Sequence, residues 1–230
     1  MQQFDPSQYF GPTLIAAVIV LGIAAMVWNY LQEKKRREAF QFLAQKLGLR
    51  YAARDPSIEY RYGYLHALQQ GERRYAFNIL QGAFQSHPVC TFDFHYETHS
   101  TDSKGRRTTT HHYFSFFVLE QPLPFPELRI YPEGLLSKLG QLVGFQDIDF
   151  ESAEFSNAFV VKSDDKKFAY DICHQRMMEY LLAHRDISLE IKSQSVAMGF
   201  NNRLDPQAIP DRLQQLVDIR NLFPEYLYHQ

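Results

Sequence analysis

The chain is poor in cysteine. Cys90 and Cys173 are its two cysteines, and they match no zinc-ligand spacing and no disulfide framework. Two isolated cysteines fit a reducing compartment, with a single long-range disulfide left open. Charge of one sign is lacking as well. The net charge is -2 over 230 residues, so nothing global points to nucleic acid or to an acidic partner. Arg73-Arg74 and Arg106-Arg107 are too sparse for a nucleic-acid track. No Walker-type loop, dinucleotide fingerprint or Gly-x-Ser-x-Gly elbow is present, which removes the nucleotide-binding and hydrolase classes those motifs mark. There is no internal repeat and no low-complexity stretch.

The most informative absence is local. Residues 12–31, PTLIAAVIVLGIAAMVWNYL, contain no charged side chain. At about 1.5 Å per residue this stretch spans roughly 30 Å, the thickness of a bilayer core. Leu14, Ile15, Val18, Ile19, Val20, Leu21, Ile23 and Val27 together favour insertion by about 2 to 5 kcal/mol. Tyr9 and Phe10 mark one edge and Trp28 and Tyr30 the other, and Pro12 suits a first helical turn. The stretch is apolar all round, which argues against a soluble helix with one polar face. A cleaved signal peptide needs a basic segment before the apolar core, and here the basic cluster Lys34, Lys35, Arg36 and Arg37 follows it. That asymmetry predicts the N-terminus outside and the following domain in the cytoplasm. The cluster is itself open to two readings: a topology signal lying at the headgroups, or a site for anionic lipid. No Gly-x-x-x-Gly favours helix pairing through the anchor.

Composition supplies the rest of the frame. Hydrophobic residues make up 45% and aromatics 15%, enough for one packed domain beyond the anchor. Phe40, Leu43, Ala44 and Leu47 continue at helical spacing up to Gly48, a natural stop. Residues 49–53 read as a short strand closed by Asp55-Pro56. Segments 62–68, 74–80, 88–98 and 108–119 read as strands. In 91–99, Phe92, Phe94 and Tyr96 alternate with Asp93, His95, Glu97 and His99, predicting one dry and one wet face. Residues 100–107 form a polar hairpin loop. Beyond Pro122, Pro124 and Pro126, residues 128–131 and 159–161 read as strands. Leu135, Leu136, Leu139, Leu142 and Val143 recur at helical spacing. Ala169, Ile172, Cys173, Met177, Tyr180 and Leu181 read as one amphipathic helix, in which Cys173 is a small core hydrophobe. Ile187, Leu189 and Ile191, then Val196, Met198 and Phe200, read as a hairpin, and 210–220 as a last helix.

GFQDIDFESAEF at 144–155 follows RIYPEG at 129–134 and precedes FVVKSDD at 159–165. Upstream lie LAQKLGLRY at 43–51, NILQGAF at 78–84, and CTFDFHYETH at 90–99 with GRRTTT at 105–110. In this order the segments resemble a family of uncharacterised bacterial single-pass membrane-anchored proteins, GFQDIDF being the most specific piece. The resemblance implies a signal-anchor, a basic stop, the bacterial inner membrane and a single cytoplasmic α+β domain. It implies no activity, cofactor or catalytic residue.

Two clusters carry candidate chemistry. His95, Glu97 and His99 share one face of a strand, joined by His111 or His112 of the partner strand according to register. Alternate side chains of this kind can present ligands to zinc. A solvated sheet face is the plainer account, and His95, His99 and His112 are the candidate ligands. The acidic group Asp147, Asp149, Glu151, Glu154, Asp164 and Asp165 lacks calcium-loop spacing and reads as a solvated edge. Gly134 and Gly144 read as helix punctuation.

The expected fold is α+β: an N-terminal transmembrane helix, then an antiparallel sheet with helices packed on one face. Residues 1–11 form a short extracytoplasmic tail, 12–31 the transmembrane helix, 32–47 a juxtamembrane amphipathic helix, and 48–230 the cytoplasmic domain. The expected function is a non-enzymatic protein-interaction module at the cytoplasmic face of the membrane. The alternatives are a metal-dependent enzyme using the His-rich hairpin and a lipid-sensing domain using the basic cluster. Expected partners are the lipid bilayer, through 12–31, and an unidentified protein, with no nucleic acid. No cofactor and no catalytic residue are assigned.

Overall fold

The computed structural model describes residues 7–133 and 148–229. The expected helix through Leu135 to Val143, Gly134, Gly144 and Asp147 lie outside the described residues. The chain opens with one long helix, α1 (Ser7–Leu47). Its apolar part is fully exposed to its surroundings, and it is long and apolar enough to cross a membrane. The same helix continues into the domain. Phe40, Leu43 and Ala44 are buried, and each of the two larger side chains contributes about 1.5 to 3 kcal/mol by leaving water. At Gly48 φ is +67°, and the Leu49 amide donates back to the Ala44 carbonyl at 2.8 Å. This is a glycine-terminated helix end in which the left-handed residue lets two orphan carbonyls be reached.

Six antiparallel strands follow: β1 (Arg50–Arg54), β2 (Glu72–Phe84), β3 (His87–Thr101), β4 (Arg107–Pro132), β5 (Phe159–Ser163) and β6 (Ser188–Phe200). The order is β1-β2-β3-β4-β5, with β6 also on β4. β4 is the spine. Its first part lies between β3 and β6, and its last residues lie between β6 and β5. Helices α3 (Ala153–Ala158), α4 (Lys166–Ile172), α5 (Gln175–Ala183) and α6 (Ile209–Asn221) join the end of α1 on one face of the sheet. The other face is covered by α2 (Ser57–Tyr62) and a short 3-10 turn, His66–Gln69. The architecture is the expected α+β.

Four local expectations are corrected. Residues 62–68 are helical turns, not a strand, because Tyr62, Leu65, Ala67 and Leu68 cap the sheet face from outside. The 169–181 stripe is buried as expected, but it is carried by two helices, α4 and α5. They break at Cys173-His174, where a His174 ring nitrogen lies 2.8 Å from the Leu222 carbonyl. The prolines do not separate strands. Pro122, Pro124 and Pro126 lie inside β4, in the gap where β3 has ended and β5 has not begun. There one edge is unpaired and a missing N–H costs little. Finally, 187–200 is not a hairpin. It is the single strand β6, bent at Ser193 (φ +52°) opposite the register shift in β4. The bend nevertheless folds the ribbon over, and a Cβ on Gly199 would lie 4.0 Å from that of Ser188.

The face carrying Asp93, His95 and Glu97 is not wet. All three are buried: Arg36 of α1 closes over Asp93, Tyr75 and Tyr113 flank His95, and Arg73 and His111 lie against Glu97.

Candidate functional site

Three constellations merit description: the junction of anchor and domain, the histidine cluster, and a cleft on the opposite face of the sheet.

The junction is built on Asp93, which is fully buried. Arg36 of α1 holds its carboxylate through two nitrogens, Nη2 at 2.8 Å and Nε at 3.1 Å from Oδ2. Ser115 Oγ donates to Oδ1 at 2.8 Å and Asn78 Nδ2 to Oδ2 at 3.0 Å. Asn78 reaches it from a β2 bulge, where its own φ is +51°. Arg36 also donates to the Leu204 carbonyl at 2.7 Å. One turn earlier on α1, Glu33 accepts two bonds from Arg203, of 2.8 and 3.0 Å. So one member of the basic cluster does not reach for headgroups. Arg36 is a half-buried rivet, and Lys34, Lys35 and Arg37 remain exposed.

The histidine cluster is sorted by the β3–β4 register. Glu97 pairs with His111, and His95 with Tyr113. His95, Glu97 and His111 therefore meet on one face, with ligating atoms within 4.8 Å of one another. His112 points the other way. It stacks on Tyr96 at 4.5 Å and lies 2.8 Å from Thr98 Oγ1. His99 faces Thr109 and Glu72. Of the candidate ligands His95, His99 and His112, only His95 belongs to the cluster, and His111 replaces the other two. The acidic group divides as well. Asp165 caps α4 through the Phe168 amide at 2.9 Å, and Glu154 pairs with Arg185 at 2.6 Å.

The cleft has a volume of about 770 Å³, within the range of small-molecule sites. Its sheet side is made by Tyr96, Phe114, Phe116, Ala197 and Gly199, and Ala67 and Gln70 of the 3-10 turn line it too. Gly199 keeps it open, since a Cβ there would press on the Phe116 ring at 3.0 Å. Glu190 and Tyr131 also line it, and both are buried. Glu190 accepts from the amides of His66 at 2.5 Å and Ala67 at 3.3 Å. Burial pushes its carboxyl up to about 7, against the pull of those two amides. The Tyr131 hydroxyl has no hydrogen-bond partner among the described residues, and burial raises its pKa. A carboxyl that can be protonated near neutrality, beside an unpaired hydroxyl and aromatic walls, suits hydrogen bonding to a polar but uncharged group. Asn201, Asn202 and Arg203 also line it, as do His111 and His112 from β4. Arg203 is the residue that holds Glu33.

The fold has a known counterpart. It is similar to the crystal structure of the mycobacterial trehalose monomycolate transport factor A, TtfA. The match covers 83% of this chain and 95% of that one, with a TM-score of 0.61 and 13% sequence identity. At that identity the likeness is one of fold. No family model and no curated protein matches the chain.

Sequence reasoning missed the cleft and the junction. Glu190 alternates with Leu189 and Ile191 as a solvent-facing residue would, and no local signal marks it as buried. The small residues Ala197 and Gly199 at outward positions of the same strand were the available hint of open space.

Proposed function

We propose that this protein is a non-enzymatic, membrane-held binding module whose cleft receives an amphiphilic molecule at the bilayer surface. The observation that carries this reading is the ion pair between Arg203, on the cleft rim, and Glu33. Glu33 stands two residues beyond the apolar span, or about 3 Å along the helix. The rim is thus held at headgroup level, and a ligand leaving the bilayer meets the cleft without crossing water. Aromatic walls suit an apolar chain or a sugar face, and Tyr131 with Glu190 suits a hydroxyl. The transport factor that shares the fold is named for a glycolipid, which agrees with an accessory role in handling membrane amphiphiles, alone or with a protein partner. The bacterial inner membrane, with the domain in the cytoplasm, follows from the exposed Lys34, Lys35 and Arg37 and from the family resemblance.

Native mass spectrometry of the full chain released from mild detergent tests the reading. A bound amphiphile is expected at one per chain in the wild type and lost in Ala197→Phe, which fills the cleft, with the circular dichroism spectrum retained. Tyr131→Phe should weaken retention about fivefold, the worth of one hydrogen bond. A wild-type chain without a bound amphiphile, or equal occupancy in Ala197→Phe, refutes the proposal.

A further inference from the structure

We infer that His95, Glu97 and His111 form a binding site for a divalent transition-metal ion of zinc type. His95 and Glu97 lie on the opposite face of the sheet from the cleft, and His111 is shared with the lining of the cleft.

The placement follows from pairing. In an antiparallel ladder the residue directly opposite Glu97 is His111, and His95 is the next residue on the same face of β3. Each side chain therefore turns one ligating atom to a common point. His95 Nε2 lies 3.1 Å from His111 Nδ1, and His111 Nδ1 lies 3.6 Å from Glu97 Oε1. Four-coordinate zinc with bonds of about 2.0 to 2.1 Å sets its ligand atoms about 3.3 Å apart. The two measured edges bracket that value, and a small rotation of the Glu97 carboxylate closes the third, which is below 4.8 Å.

The donor set has the right chemistry. Two imidazoles and one carboxylate are a known zinc triad, and one carboxylate leaves a net positive charge on a bound ion that water can share. His95 is held rigidly: its ring lies between Tyr75, at 4.5 Å between centroids, and Tyr113, at 4.7 Å. The Glu97 side chain is 8% exposed, and its Oε2 has no hydrogen-bond partner among the described residues. The cation it has is Arg73, with Nη1 at 3.5 Å, carried on a largely exposed side chain that can swing away. A buried carboxylate so weakly held is costly unless a stronger cation joins it. His111 is exposed, which gives an ion a path in and leaves the fourth position open to water or to an outside ligand. The same geometry without an ion is a hydrogen bond between two neutral imidazoles, and that is the competing account to be tested.

The experiment is calorimetric titration of zinc into the chelator-stripped full chain in detergent. Saturable binding of one ion per chain is expected. His111→Ala, at an exposed position, should weaken it at least about tenfold, as should Glu97→Gln. His87→Ala, at the far end of β3, should leave it unchanged. Cobalt should give the visible bands of a tetrahedral site in the wild type and lose them in His111→Ala. Absence of saturable heat in the wild type, or wild-type affinity in His111→Ala, overturns the inference. His111 also lines the cleft, so the two proposals are separated on the wild type and on Glu97→Gln: an amphiphile retained without saturable zinc binding sinks this inference alone, and zinc binding without a retained amphiphile sinks the other alone.

Discussion

Replacing Glu190 by glutamine should stabilise the domain above neutral pH and leave it unchanged or slightly weaker near pH 5. The carboxyl is almost wholly buried and is displaced upward from 4.5 to about 7, with desolvation as the chief cause. The folded chain therefore holds a proton that the unfolded chain has released. Folding takes up that proton between about pH 4.5 and 7, and stability falls as the pH rises through the window. Converted at about 1.4 kcal/mol per tenfold, the ionised carboxylate costs the fold about 3 kcal/mol at pH 8. Glutamine keeps a carbonyl for the amides of His66 and Ala67 but brings an NH₂ group in need of a partner, at about 1 kcal/mol. The net gain at pH 8 is then about 2 kcal/mol, or roughly 4 to 8 °C in midpoint for a domain of this size. His66 works in the opposite sense. Burial lowers its pKa to about 4, so its contribution is present above its unfolded value and is lost as the pH falls from about 6.5 toward 4. The two slopes oppose each other, and the wild-type profile is flattened. The quantity to read is therefore the difference between variant and wild type. Urea unfolding followed by far-ultraviolet circular dichroism, on the full chain in detergent from pH 5 to 8, supplies it. A difference that stays constant with pH, or a variant weaker than wild type at pH 8, refutes the reasoning.

Three further outcomes are expected. Arg36→Met leaves Asp93 buried with only its weaker partners and should cost about 3 kcal/mol in urea unfolding; adding Asp93→Asn should recover part of that loss, and a single variant as stable as wild type would break the rivet account. A C-terminal alkaline phosphatase fusion should be inactive and a C-terminal fluorescent protein bright; the reverse places the domain outside. Cys90 and Cys173 are free and buried, burial pushes the Cys90 thiol up to about 12, and neither should react with a maleimide until denaturant is added. Rapid labelling of the native chain would contradict their burial.

The two cysteines also show how far sequence reaches. Cys173 sat on an apolar helical pattern and was readable as core, but a remote disulfide with Cys90 stayed open. The fold excludes it, because Cys173 belongs to the core on one side of the sheet and Cys90 to the core on the other. The histidines repeat the lesson. Alternation along β3 placed His95 and Glu97 on one face, but whether His111 or His112 joined them depended on a register set across the sheet. A shift of one residue would have exchanged them.

By itself the sequence determined what depends on neighbours along the chain: an uncharged apolar stretch long enough to cross a bilayer, its continuation to the Gly48 stop, and the alternation of the hairpin strands. Those signals are local because helix insertion and strand pleating are set by residues a few positions apart. The tertiary structure alone decided which polar residues are buried. Asp93 meets Arg36, Glu190 meets the backbone of His66 and Ala67, and β6 bends instead of turning back. Each of these joins segments far apart in the chain, and no periodicity records a partner that arrives only when the sheet closes.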